Sequence, residues 1–183
     1  MEFKEQPREP FFSPQNFGKI LLFSALVFGC AVIQSSLFPA LTLLPATPDL
    51  LLAAVMGLAV YDGERSGAVA GIGAGVLTEA LSPSGIMLLP VVYMLIGYVF
   101  GIVTRIFLNK NFLSWVVYMV IACGIRSMIT LTHLVINEAG LNVLTAADRI
   151  LIPEYLMTLI FSVPVWLLAR ACARPFHKQM DMD

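Results

Sequence analysis

Between Pro48 and Gly101 three apolar segments follow one another with almost nothing between them. PDLLLAAVMGLAVY is separated from GAVAGIGAGVLTEAL by the charged turn DGERS, and IMLLPVVYMLIGYVFG follows the turn SPSG. In the second segment Gly67, Gly71, Gly75 and Glu79 recur every four residues. On a helix that spacing makes one slowly rotating stripe along a side. Glycines there let another helix approach closely, and the stripe leads to a carboxylate inside apolar sequence, where charge is expensive.

Composition decides the solvent. Of 183 residues 58% are hydrophobic and 13% charged, and the mean hydropathy is +0.85. A soluble domain carries roughly 25% charged residues. Half that charge, with several long apolar runs, predicts an all-α integral membrane protein with no sizeable soluble domain. The net charge of −1 and the lack of a basic strip with interleaved aromatics exclude a nucleic-acid partner. Cys30, Cys123 and Cys172 lie in or beside apolar helices, without a CxxC and with little His. They read as small buried hydrophobes, with no metal site expected.

Along the chain, residues 1–16 carry Pro7, Pro10 and Pro14 among charges, which predicts a loosely held cytoplasmic tail. A membrane domain over 17–172 follows, then a frayed polar tail over 173–183. Six helices are expected: Lys19 to Phe38, Pro48 to Tyr61, Ser66 to Leu81, Ile86 to Phe107, Phe112 to Ile136 and Ile150 to Cys172. The first matches the ~30 Å apolar slab. The second and third are only ~20–24 Å long. They either span locally thin bilayer or form a re-entrant hairpin that buries Asp62, Glu64 and Arg65 at mid-depth. Two spans are the less costly choice. Gly97 and Gly101 give the fourth helix a second small-xxx-small pair. Trp115 and Tyr118 suit the membrane interface, and Pro164 predicts a kink.

Six spans sort the basic residues. Lys4, Arg8, Lys19, Arg65, Arg105, Lys110, Arg170, Arg174 and Lys178 fall on one side, against Arg149 on the other. The positive-inside rule then places both termini in the cytoplasm. Asp49, Glu79, Arg126, His133 and Glu154 collect in the outer half of the membrane. They read either as a polar pocket for a ligand or partner loop, or as structural groups. In the structural reading Asp49 and Glu154 sit near helix N-termini, and Glu79 could pair with Arg126. The chain has no HExxH, GxSxG or Walker sequence. No enzymatic activity and no cofactor are expected.

Pro48-Asp49-Leu50-Leu51-Leu52, the glycine-rich helix closing on Glu79, Ser84-Gly85, Ile96-Gly97-Tyr98 with Gly101, and Gln34-Ser35-Ser36-Leu37-Phe38 together resemble the rod shape-determining protein MreD family. The match covers about a third of the chain, and the family pattern has aspartate where this chain has Glu79. The resemblance implies a six-helix transmembrane bundle similar to the substrate-binding subunits of energy-coupling-factor transporters. It implies a non-enzymatic subunit of the bacterial cell-elongation complex in the cytoplasmic membrane. Such a subunit maintains cell shape by scaffolding lateral peptidoglycan synthesis. The implied partners are MreC, the MreB filament, RodA and a penicillin-binding protein. The alternative is a substrate-binding subunit of an energy-coupling-factor vitamin transporter, for which Ala25 and Gly29 offer a docking pair.

Overall fold

The computed structural model describes residues 14–40, 47–81, 88–107, 112–137 and 152–180. Among the described residues there is no strand. The helices are α1 (Pro14–Ala40), α2 (Leu50–Asp62), α3 (Glu64–Leu81), α4 (Leu89–Phe107), α5 (Phe112–Asn137) and α6 (Ile152–Met180). Among the described residues three stretches are long and apolar enough to cross a membrane: Leu89–Ile106, Phe112–His133 and Ile152–Cys172. Shorter apolar stretches cover Ile20–Ser36 and Leu50–Asp62. Large apolar side chains such as Phe28, Leu113, Met128 and Ile160 point outward. An all-helical chain with that surface is a membrane protein.

The bundle is built around α2. Every side chain from Leu50 to Val60 is buried, as expected of a helix that is apolar all round. It packs against all five other helices. Gly57 marks the closest approach of α6: a Cβ there would stand 2.7 Å from the Ala169 Cβ. Thirteen residues make α2 only ~20 Å long, so both of its ends lie close to the core.

A single residue joins α2 to α3. Gly63 has φ +94° and ψ −174°, a region essentially closed to residues with a Cβ. Its N–H donates to the Ala59 carbonyl at 3.1 Å. The chain therefore reverses at once, and α3 returns along α2.

α3 and α4 then meet backbone to backbone. A Cβ at Gly67 would stand 2.6 Å from the Gly97 carbonyl oxygen. A Cβ at Gly71, Gly75, Gly97 or Gly101 would run into backbone atoms of Tyr93, Pro90, Gly67 or Glu64 respectively. The five glycines thus lie in one crossing. The pairs run in opposite directions, with Gly75 beside Pro90 at the start of α4 and Glu64 beside Gly101 near its end. Arg105 closes that end with a 3.1 Å ion pair to Glu64. The charged turn is therefore level with the end of α4, not with its middle.

The structure also places individual side chains and helix ends. Trp115 is enclosed by the bundle, with its ring 3.9 Å from the position a Cβ on Gly57 would take. Tyr118 is half-buried and tilts against Phe100 at 5.6 Å. α1 begins at Pro14 and runs through Pro39 to Ala40. α6 passes Pro164 without interruption and continues to Met180, beyond the expected end at Cys172. The tail expected over residues 1–16 lies mostly outside the described residues, as do Lys110 and Arg149.

Candidate functional site: a buried ionic node at the start of α2

The first turn of a helix leaves N–H groups without intrahelical partners. For α2 that turn is buried, so water cannot satisfy them, and each would be costly if left unpaired. Side chains from three segments do so. The Asp49 side chain, through Oδ1, accepts from Leu52 N at 3.0 Å, an N-cap contact. Gln34 of α1 accepts through Oε1 from Leu50 N at 2.9 Å and Leu51 N at 3.2 Å. Asp49 N donates to Thr158 Oγ1 of α6 at 2.9 Å. Thr158 in turn donates to the Glu154 carbonyl at 2.8 Å, the usual back-bond of a helical threonine.

Capping uses only one of the Asp49 oxygens. The other, Oδ2, accepts from the Tyr93 hydroxyl of α4 and lies 2.6 Å from Arg126 Nε of α5. Arg126 Nε also donates to the Tyr93 oxygen at 3.0 Å. At its far end Arg126 Nη1 donates to Glu154 Oε1 of α6. Gln34, Asp49, Tyr93, Arg126 and Glu154 therefore tie α1, α2, α4, α5 and α6 into one node.

Its electrostatics follow from burial. Two carboxylates share one guanidinium. The Asp49 side chain is 1% exposed, whereas Arg126 is 15% and Glu154 is 17% exposed. The node is closed on the Asp49 side and open at its Arg126–Glu154 edge. Such a group holds helices together at a fixed register. At its open edge it offers a carboxylate and a guanidinium to a polar partner.

Of the residues singled out from the sequence, Asp49, Arg126 and Glu154 come together here. Arg126 takes Asp49 and Glu154 as its ion-pair partners. Glu79 is half-buried on α3, and its Oε2 is buried without a hydrogen-bond partner among the described residues. His133 is half-buried, about two turns beyond Arg126 on α5. Tyr93, Gln34 and Thr158 escaped notice as site residues because none carries charge. A polar group in an apolar helix, level with an acid on the next, is the signal that could have found them. Compared with family models, curated proteins and solved structures, the chain matches none.

Proposed function

We propose that this chain is an MreD-type membrane subunit that scaffolds lateral cell-wall synthesis, with an MreC-like single-span protein as its direct partner. One observation carries the reading. Of the segments that resemble the family, Gln34 and Asp49 enter the node, and the α3 glycines with Gly97 and Gly101 form the crossing. A scaffold needs a stiff frame with an open polar edge, and these residues supply both.

In this reading all six helices cross the membrane. The extent of the α3–α4 crossing supports it, since α3 runs beside α4 from Pro90 to Gly101 and α4 is long enough to span. Both termini then lie in the cytoplasm. The node faces the outer half, where the emerging segment of a single-span partner would meet Glu154, Arg126 and Glu79.

The test is crosslinking in native membranes followed by purification and identification of what accompanies the chain. Recovery of a single-span MreC-like protein with wall synthases is the expected result. Reversing charge with Glu79→Lys should then reduce that recovery and disturb rod shape. Recovery of a paired ATPase with a coupling membrane subunit would replace the scaffold reading with a vitamin-transporter one.

A further inference from the structure

The ends of α1, α3 and α5 and the starts of α2, α4 and α6 share one end of the bundle, the end that holds the node. Among the described residues its acidic and basic side chains are Asp49, Glu79, Arg126, His133 and Glu154. Three carboxylates stand against one guanidinium. Even a protonated His133 leaves one carboxylate in excess.

Within the node the hydrogen bonds show which carboxylate is least compensated. Asp49 spends both oxygens inside the protein, on Leu52 N, the Tyr93 hydroxyl and Arg126 Nε. At 1% exposure it has no access to water, so its charge depends on the guanidinium. Glu154 takes one N–H of that same guanidinium, and takes it on Oε1. Its Oε2 receives no hydrogen bond among the described residues and is not enclosed. A carboxylate oxygen can accept two.

Position makes that spare charge matter. Glu154 is the third residue of the apolar stretch Ile152–Cys172, where an uncompensated charge is costly. The chemistry then selects the complement. A phosphate or carboxylate would add to the excess. The ammonium of a zwitterionic lipid brings its own phosphate with it. A lysine or arginine side chain brings a cation and N–H donors without an anion.

We propose that Glu154 docks a lysine or arginine of the partner's segment, whose ammonium or guanidinium donates to Oε2 at the open edge of the node. The partner's existence rests on the scaffold reading; the demand for a cation rests on the node. In that reading the edge lies in the outer half of the membrane. Basic residues are depleted at the outer ends of spans, so finding one there discriminates this partner from other single-span proteins.

The experiment uses the full chain in native membranes. Glu154→Gln keeps an oxygen for Arg126, removes the charge and mimics a protonated acid. In separate variants a benzophenone amino acid replaces Thr130, one turn past Arg126 on the same face of α5, or Val117, exposed nearer the start of α5. The expected result is an adduct from position 130, absent from position 117, that maps to a single-span protein with Lys or Arg within a turn of the contacted residue. Glu154→Gln should lower recovery of that protein by about tenfold or more, while the SDS unfolding midpoint of the purified chain stays at the wild-type value. Recovery unaffected by Glu154→Gln would show that the acid needs no cation and would overturn the proposal. A fall in recovery together with the unfolding midpoint would assign Glu154 a structural role and overturn it as well. So would adducts with phospholipid alone, adducts with a second copy of this chain, equal yields at both positions, or a contacted segment without Lys or Arg. If a single-span partner still accompanies the wild-type chain, only the docking of a cation on Glu154 falls. If none does, the scaffold reading falls with it.

Discussion

The α3–α4 crossing allows the same substitution to be made twice on one helix with opposite results. At Gly67 an added Cβ would stand 2.6 Å from the Gly97 oxygen and 2.7 Å from the Ala59 Cβ, where ordinary contact begins at 3.4 Å. The helices must part by about 0.8 Å to relieve it. A gap of ~0.5–1 Å forfeits a quarter to a half of each dispersion contact. Along a crossing that joins Gly75 to Pro90 at one end and Glu64 to Gly101 at the other, that loss reaches ~2–3 kcal/mol, the upper part of the overpacking range. Alanine returns ~1 kcal/mol of helix propensity, so Gly67→Ala costs about 1–2 kcal/mol net. Gly71→Ala meets the Tyr93 carbonyl and behaves alike. Gly73→Ala meets nothing and is expected to be neutral or stabilising by up to ~1 kcal/mol. Detergent-solubilised protein titrated with SDS reports the difference, read by fluorescence of the buried Trp115 and Trp166. If Gly71→Ala and Gly73→Ala unfold within ~0.5 kcal/mol of each other, the close-crossing argument is wrong.

Three further outcomes are expected. Gly63→Ala should destabilise by roughly 1–3 kcal/mol through backbone conformation alone, since no neighbour stands within 4 Å of its Cβ position; an unchanged SDS midpoint would contradict this. Arg126→Leu leaves Asp49 and Glu154 without their cation and should cost ~3–5 kcal/mol. Adding Asp49→Asn, which keeps a capping oxygen, and Glu154→Gln should recover part of that loss, and strictly additive costs for the three would refute the node as a coupled unit. Gln34→Leu strips the Leu50 and Leu51 N–H groups of their acceptor and should cost ~1–3 kcal/mol; hydrogen exchange at these two amides should accelerate, and unchanged protection would count against the contact.

Much of the frame is legible in the sequence. Long apolar runs and scarce charge require a membrane solvent, and the four-residue glycine period marks a face for close packing. Asp49 before a leucine run already reads as an N-cap, and an arginine inside an apolar helix announces that it needs acids. Which acids is another matter. Glu79 and Glu154 are both available by estimated depth, and only the rotation of α3 and α6 about their axes selects between them. In the fold Glu154 meets the guanidinium and Glu79 does not form its ion pair. Trp115 shows the same limit: an aromatic near a helix start suits an interface, and only the packing of the helices shows that the indole is enclosed.

The sequence by itself determined the solvent, the helical class, the glycine face and the presence of costly charge, because each depends on composition or on the helical period. The tertiary structure alone decided that α2 is the enclosed helix, that its buried first turn needs Gln34 and Thr158 from distant segments, and that Tyr93 and Arg126 converge on Asp49. Those contacts join positions far apart in the chain, from Asp49 to Thr158 and from Tyr93 to Arg126. Their pairing is set by helix rotation and register, which a local pattern does not carry.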